Sequence, residues 1–233
     1  MEFSKDYFLG GAILLINKPI NWTSFQVVNK VRWLIKSKFN LKKIKVGHAG
    51  TLDPLAEGLL IICTDKMTKK IFEFQNLDKS YNGTFYLGAS TPSFDLETQI
   101  SERRSIDHVK NEMLELESKK FLGKITQKPP LYSAIKYKGK KLYEFARKGE
   151  TIDIKSREVI IHEFKVDKIK LPEVNFIVKC SKGTYIRSLV NDFGNKLNCG
   201  AHLTRLNRIT IGDYDIRNSI SIEEFEKKLS QIA

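Results

Sequence analysis

One stretch of the chain carries most of the information about its fold: Gly47-His48-Ala49-Gly50-Thr51-Leu52-Asp53-Pro54-Leu55-Ala56-Glu57-Gly58-Leu59-Leu60. Gly47 and Gly50 permit backbone angles and close approaches that larger side chains block, and Pro54 biases Asp53 away from helical angles. The stretch therefore predicts a stiff turn that carries a carboxylate and leads into an apolar strand. An Asp-Pro pair alone is more often an ordinary turn than a catalytic site, so the rest of the chain has to decide between the two.

Length and charge limit the possible functions. The chain has 233 residues, enough for one substantial core. It carries 40 Lys and Arg against 27 Asp and Glu, a net charge of +13, which favours a polyanionic partner such as nucleic acid but also fits a merely soluble basic protein. Two basic runs that could face phosphates are Arg32, Lys36, Lys38, Lys42, Lys43 and Lys45, and then Lys136, Lys138, Lys140, Lys141, Arg147 and Lys148.

The cysteines and the hydropathy exclude several classes of protein. Cys63, Cys180 and Cys199 are an odd, scattered set, so we expect no disulfide framework and a reducing, cytoplasmic location. Cys199 and His202 have a metal-ligand spacing but no second ligand pair, so we assign no metal. No apolar run reaches the roughly 18 residues of a membrane span, and we expect no membrane partner.

Hydrophobic periodicity gives the order of the elements. It predicts strands at 12–17, 59–63 and 81–87, an antiparallel pair at 157–168 and 174–180, and helices after Thr23, at 67–74, 105–120 and 184–197, and after Ser221. The elements mix without a regular βαβ rhythm. We therefore predict an α+β fold with a mixed, largely antiparallel central sheet flanked by helices and loops.

The 47–60 stretch resembles the catalytic motif of the TruB family, the bacterial tRNA pseudouridine synthases, and further family segments follow it in order over nearly the whole chain. The resemblance implies the pseudouridine synthase fold, with an active-site cleft across the sheet, and Asp53 as the nucleophile. It implies no metal or organic cofactor. In the segment 91–98 the chain keeps Thr91 and Asp95 but lacks one acid and a final glycine of the family pattern, which puts loop contacts there in doubt.

Two further segments supply the other catalytic candidates. Lys79-Ser80-Tyr81 resembles the segment whose tyrosine stacks on the extruded base and could move the C5 proton, and Cys180 to Leu189 resembles the segment whose arginine pairs with the nucleophile. The resemblance therefore assigns catalysis to Asp53, Tyr81 and Arg187. From the residues alone, Tyr81 could equally be a core tyrosine, and Arg187 a solvated arginine on a helix.

The resemblance also implies a set of substrate and RNA contacts. His48 would wedge into the folded RNA loop, Tyr132 and its neighbouring basic residues would press against RNA, and Leu206 would line the uracil pocket, although each also fits a structural role. The full set of expected substrate and RNA contacts is His48, Gly50, Leu52, Tyr132, Lys136, Lys182 and Leu206.

The function implied is conversion of uridine 55 in the T-arm stem-loop of tRNA to pseudouridine. We expect a single catalytic domain over residues 1–233 without the family's C-terminal RNA-binding (PUA-like) domain, and hence similar modification of an isolated T arm and full tRNA. We expect a monomer with no obligate protein partner. The sequence leaves open a non-catalytic tRNA-folding chaperone, a synthase for another structured RNA, and attack by Asp53 at C1′ or at C6.

Overall fold

The computed structural model describes residues 3–232, which form seven α-helices, thirteen strands and two short 3-10 helices. The α-helices are α1 (Lys5–Gly11), α2 (Ser24–Lys38), α3 (Ile71–Asn76), α4 (Asn111–Lys120), α5 (Leu142–Ala146), α6 (Ile186–Lys196) and α7 (Ile222–Ser230). The strands are β1 (Ile13–Lys18), β2 (Val46–His48), β3 (Ala56–Thr64), β4 (Lys79–Leu87), β5 (Ala89–Ser90), β6 (Glu102–Arg103), β7 (Gly123–Gln127), β8 (Lys136–Tyr137), β9 (Lys140–Lys141), β10 (Arg157–Lys170), β11 (Glu173–Cys180), β12 (Ala201–Ile211) and β13 (Tyr214–Asp215). The 3-10 helices are Asp65–Lys70 and Ile216–Asn218.

The chain forms two compact units. The first unit contains the residues up to Tyr81 together with those from Asn207 onward, and the second unit is Asn82–Leu206. The boundaries fall inside β4 and β12, which each pass from one unit to the other. The mixture of helices with a mostly antiparallel sheet confirms the predicted α+β class.

The first unit is built around β3. Strands β1 and β2 both pair antiparallel with β3, from Ile13 opposite Cys63 to Lys18 opposite Gly58 for β1. Helix α2, predicted after Thr23, begins with the capping box that Thr23 forms, and it buries one apolar stripe. That stripe packs in one core with residues of α1, β1, β3 and α7, and its buried members are Val27, Val28, Val31, Leu34 and Ile35.

The second unit contains the strand order β4-β11-β10-β7. The predicted antiparallel pair is confirmed, because β10 and β11 pair from Ile161 opposite Cys180 to Lys170 opposite Glu173. Aromatic rings fill the core of this unit. The ring of Phe193 on α6 lies 5.4 Å from the rings of both Phe85 and Phe164. The helix predicted at 184–197 is therefore confirmed as α6, and it packs by its apolar face.

Two predicted helices differ from the observed ones. The helix predicted at 105–120 begins only at Asn111, because Ser105 and Asp107 bond to each other: the Asp107 N–H donates to Ser105 Oγ at 3.1 Å. Short polar side chains that bond locally in this way compete with the helix. The segment predicted as one helix at 67–74 is a 3-10 helix to Lys70 followed by α3. No helix within residues 3–232 is long and apolar enough to cross a membrane.

Candidate active site

The turn that carries Asp53 is anchored by its main chain to the start of α2. The Leu52 N–H donates to Ser24 Oγ at 2.9 Å, and that hydroxyl donates back to the Leu52 carbonyl at 3.1 Å. The Asn21 N–H donates to the Pro54 carbonyl at 2.8 Å. Leu52 is buried while Asp53 is only partly so. The stiff turn predicted from the sequence is therefore held from both sides of Asp53, with the residue before it packed inside.

Lys18, at the end of β1, lies beneath this turn with no exposed surface. Its ammonium donates to three main-chain carbonyls, those of Pro19 (2.8 Å), Trp22 (2.6 Å) and Pro54 (3.4 Å). Burial lowers the pKa of Lys18 to about 8, although the nearby carboxylates of Asp53 and Glu57 act in the opposite direction. Lys18 thus brings a titratable positive charge to the Asp53 turn.

Arg208, on β12, is the largest of the fully buried side chains in the described part of the chain, with 1% of its surface exposed. Its Nε donates to the Leu59 carbonyl at 2.8 Å, and Nη2 donates to the Gly50 carbonyl at 3.1 Å. Burial lowers the pKa of Arg208, whereas a hydrogen bond with the Tyr81 phenol and the charge of Asp53 act to raise it. One guanidinium therefore interacts with both the candidate nucleophile and the candidate base.

Tyr81 and His48 share this environment in the first unit. Tyr81, on β4, is 8% exposed. His48 ends β2, where burial and then the Arg208 charge lower its pKa, against a smaller opposing effect of Gly50. A lowered pKa keeps the imidazole neutral at pH 7.

The second unit contains a separate buried cluster around Arg187 on α6. Its Nε lies 3.5 Å from the Asp95 carboxylate, and both side chains are almost fully buried. The guanidinium also donates to the carbonyls of Ser93 and Tyr132, each at 2.9 Å. Arg187 therefore joins the 91–98 loop to the loop that contains Tyr132, and it is not the solvated helix arginine that the residues alone allowed.

A short hairpin in the second unit presents the second basic run. Strands β8 and β9 pair with Lys136 opposite Lys141. Lys138 and Gly139 between them both have positive φ, as a two-residue hairpin turn requires. Residues 136–141 are all exposed. The hairpin therefore exposes four lysines, Lys136, Lys138, Lys140 and Lys141.

The structure thus distributes the predicted site residues over two groups. In the first unit, Asp53 and Tyr81 share Arg208, and His48, Gly50 and Leu52 belong to the same turn and strand. In the second unit Arg187 and Tyr132 are in contact, Lys136 and Lys182 are exposed, and Leu206 is buried at the unit's last position. The pairing of Arg187 with Asp53 stays a prediction. Sequence reasoning missed Lys18, for which the only signal is its position beside the predicted strand 12–17, and it missed Arg208, which lies on β12, a strand that the sequence analysis did not predict.

A metal site does not arise from these groups. Among residues 3–232, no three His, Cys, Asp or Glu side chains lie together as possible ligands. Lys18 and Arg208, both in the first unit, act on Asp53 through their charges. The chemistry available there is that of a carboxylate, a phenol and two fixed basic side chains.

Two family models match the chain in succession. The TruB family pseudouridylate synthase N-terminal domain matches residues 36–186, and the tRNA pseudouridylate synthase B C-terminal domain matches residues 187–232. The chain belongs to the TruB family of pseudouridylate synthases. It is therefore an enzyme of the pseudouridine synthase class, as the sequence predicted.

Curated relatives match the chain over nearly its whole length. The tRNA pseudouridine synthase B of Flavobacterium johnsoniae is 56% identical over 227 residues, covering 97% of this chain and 99% of the relative. The tRNA pseudouridine synthase B of Phocaeicola vulgatus is 50% identical over 224 residues, covering 96% and 95%.

Solved structures confirm the fold. A Cbf5-Nop10-Gar1 complex contains a chain that this protein matches with a TM-score of 0.70 at 26% identity, over 97% of this protein and 56% of that chain. A chain of an H/ACA RNP bound to a substrate RNA containing 2′-deoxyuridine matches with a TM-score of 0.68 at 25% identity, over 95% and 54%. This protein thus spans just over half of each of those chains.

Proposed function

We propose that the protein converts uridine 55 in the T loop of tRNA to pseudouridine, with Asp53 as the nucleophile. The observation that carries the proposal is the Asp53 turn itself: a carboxylate on an anchored turn, acted on by the buried charges of Arg208 and Lys18. Relatives that are about half identical over nearly the whole chain are named tRNA pseudouridine synthase B, which supports tRNA as the substrate.

The reaction is an isomerisation that needs only these groups. The N1–C1′ bond of uridine breaks, a C5–C1′ bond forms, C5 loses its proton and N1 gains one, so substrate and product have the same atoms. A carboxylate starts this by attack at C1′ or at C6. It must be ionised to do so, and neighbouring positive charges favour the ionised form. In this proposal Arg208 and Lys18 supply that charge, and Arg187 adds to it if it pairs with Asp53.

The target base has to leave its stack to reach a side chain on a turn, as for other enzymes that act on bases. Stacking on an aromatic ring replaces part of the lost base stacking, at roughly 1–3 kcal/mol per base. Tyr81 fills that role and receives the C5 proton, His48 wedges into the opened loop, and Leu206 and Leu52 border the base.

The substrate is recognised through shape and phosphates. Structured RNA is bound largely by its form and backbone, and exposed lysines release counterions when they contact phosphates. The 136–141 hairpin and the lysines of the 42–45 segment, both exposed, supply those contacts. The affinity for RNA should therefore fall steeply between about 50 and 200 mM salt.

A T-arm stem-loop RNA tests the proposal directly. The RNA carries tritium at C5 of its uridines, so that each turnover releases label into water, and pseudouridine-specific chemical labelling locates the product. We expect release from wild type with product at the T-loop uridine. The Asp53→Asn variant should give none while it binds the same RNA with a similar Kd. A T arm with cytidine at position 55 is the matched substrate control.

The rival functions predict different results. A tRNA-folding chaperone releases no tritium, and Asp53→Asn would then accelerate refolding of tRNA as well as wild type does. A synthase for another structured RNA leaves the T arm unmodified but converts uridines in a different RNA pool. Full activity of Asp53→Asn on the T arm would exclude Asp53 as the nucleophile.

A further inference from the structure

Arg208 is a fully buried cation, and its interactions have to offset the free-energy cost of burying its charge. An isolated charge is costly to bury, and apolar residues of similar volume often replace buried ionic groups without loss of stability. The ionisable groups that interact with it attractively are the Tyr81 phenol and the Asp53 carboxylate, both candidates for the reaction.

The hydrogen bonds of Arg208 fix the main chain on both sides of Asp53. Gly50, whose carbonyl receives Nη2, lies three residues before Asp53, and Leu59, whose carbonyl receives Nε, lies six residues after it. The positive φ of Gly50, +99°, turns the chain there, and a Cβ at Gly50 would lie 3.6 Å from the guanidinium. The planar fork of an arginine suits this task, since its donors point in several fixed directions in one plane.

We infer that Arg208 is a positioning residue for the proposed reaction: it holds the Asp53 turn and the Tyr81 phenol in one geometry, so that nucleophile and base meet the same uracil. This role rests on the proposed function. It differs from that of Arg187, whose guanidinium is ion-paired with Asp95 and joins two loops of the second unit.

Single-turnover kinetics on the T-arm RNA test the role. Arg208→Met keeps much of the volume and removes the charge and the donors, while Arg208→Lys keeps the charge but not the fork. We expect Arg208→Met to slow the chemical step on the order of 100-fold, as a small misplacement of reacting groups does. The rate of the chemical step in Arg208→Lys should lie between those of wild type and Arg208→Met. The Kd for RNA should change less than about threefold for both variants. The matched control is Arg217→Met, an exposed arginine of the same unit.

A double-mutant cycle separates positioning from general support of the fold. If Arg208 acts through Tyr81, adding Arg208→Lys to Tyr81→Phe should slow the reaction little further, because residues that act as a unit are not additive. Multiplication of the two effects, or a wild-type rate for Arg208→Lys, would overturn the inference.

A spectroscopic measurement keeps the inference independent of activity. In protein labelled with ¹³C at tyrosine Cζ, the Tyr81 signal is the one that Tyr81→Phe removes, and it should shift in Arg208→Lys but not in Arg217→Met. If wild type releases no tritium, the proposed function fails and this shift alone decides whether Arg208 holds the phenol. If the Arg208 variants do not fold, the reverse measurement decides: Tyr81→Phe should shift the side-chain ¹⁵N signals of the buried, slowly exchanging arginine whose signals remain in Arg187→Lys. Unchanged signals would contradict the inference.

Discussion

Within residues 3–232 two arginines are buried, one in each unit, and they differ in their partners. Arg187 and Arg208 are 3% and 1% exposed, and each donates to two main-chain carbonyls. Arg187 has the buried Asp95 carboxylate at 3.5 Å as a fixed counter-ion, whereas Arg208 interacts with Tyr81 and Asp53, the groups proposed to react. Arg187 thus joins two loops in the second unit, whereas Arg208 interacts in the first unit with the groups proposed to react. Substitutions at Arg187 and its contacts should therefore lower stability most. Substitutions at Arg208 and its contacts should lower the reaction rate most.

The largest effect on stability is expected at the Arg187 cluster. Asp95→Asn removes the buried charge that faces Arg187 with little change of shape. Because it removes the buried carboxylate charge 3.5 Å from that guanidinium, we expect the free energy of unfolding in urea to fall by about 3–5 kcal/mol. Glu158→Gln, at the exposed pair with Lys124 in the same unit, is the control and should leave the urea midpoint essentially unchanged. Equal urea midpoints for Asp95→Asn and wild type would mean that the Arg187–Asp95 pair does not stabilise the fold. The proposed difference between the two arginines would then be wrong.

Gly58→Ala tests the position of Arg208, because Gly58 lies against the main chain of that residue. A Cβ on Gly58, where φ is +108°, would lie 2.5 Å from the carbonyl oxygen and 2.6 Å from the nitrogen of Arg208. Strain and overpacking together should cost about 2–3 kcal/mol of unfolding free energy. Gly83→Ala is the matched clash in the second unit, against Phe176 at 2.9 Å and the Arg205 carbonyl.

Both glycine variants should unfold at lower urea concentration. At a temperature where both are folded, only Gly58→Ala should lose more rate than RNA affinity, because only it displaces Arg208. Equal loss of rate in the two variants would mean that the reaction responds to strain anywhere along β12.

What the sequence could predict depends on how local the determining contacts are. The Asp53 turn, the start of α2 after Thr23 and the helix α6 follow from residues within a few positions of one another, and the structure confirms them. The partners of Arg208 lie 149 and 158 positions away along the chain, and Lys18 reaches Pro54 over 36 positions. No periodicity marks such a charge as buried, so both residues escaped prediction. The helix predicted from residue 105 began late because local side-chain bonds outweighed its apolar spacing.

We expect the rate of the reaction to depend on pH through Lys18. Its ammonium donates to Pro54 and favours ionised Asp53 only while protonated, and its pKa is about 8. We therefore expect the single-turnover rate to fall as the pH rises through about 8. Lys18→Met should be slower by about tenfold at pH 7, the equivalent of one lost charged hydrogen bond, and should lack this alkaline decrease.

Unfolding would not explain that decrease. Because the pKa of Lys18 is lower in the folded chain than its ordinary 10.5, the unfolded chain binds more protons between about pH 8 and 10.5, and the contribution of this group to stability rises with pH there. Urea unfolding at pH 7 and 9 checks this point. An alkaline decrease that persists in Lys18→Met would assign it to another group.

The smallest expected effect is that of removing a helix cap, and this variant is a control for the effect of a modest loss of stability on the reaction rate. Ser221 caps α7 in the first unit: the Glu224 N–H donates to Ser221 Oγ at 3.1 Å, and the Ser221 N–H donates to the Glu224 carboxylate at 2.7 Å. Ser221→Ala should lower the free energy of unfolding by about 1 kcal/mol and leave the single-turnover rate on the T arm unchanged, since the cap touches none of Asp53, Tyr81 and Arg208. If this variant slowed the reaction as much as Arg208→Lys does, a modest loss of stability in the first unit would suffice to explain both. A wild-type rate in Ser221→Ala at reduced stability would instead leave the position of the guanidinium as the cause of the slower chemistry in Arg208→Lys.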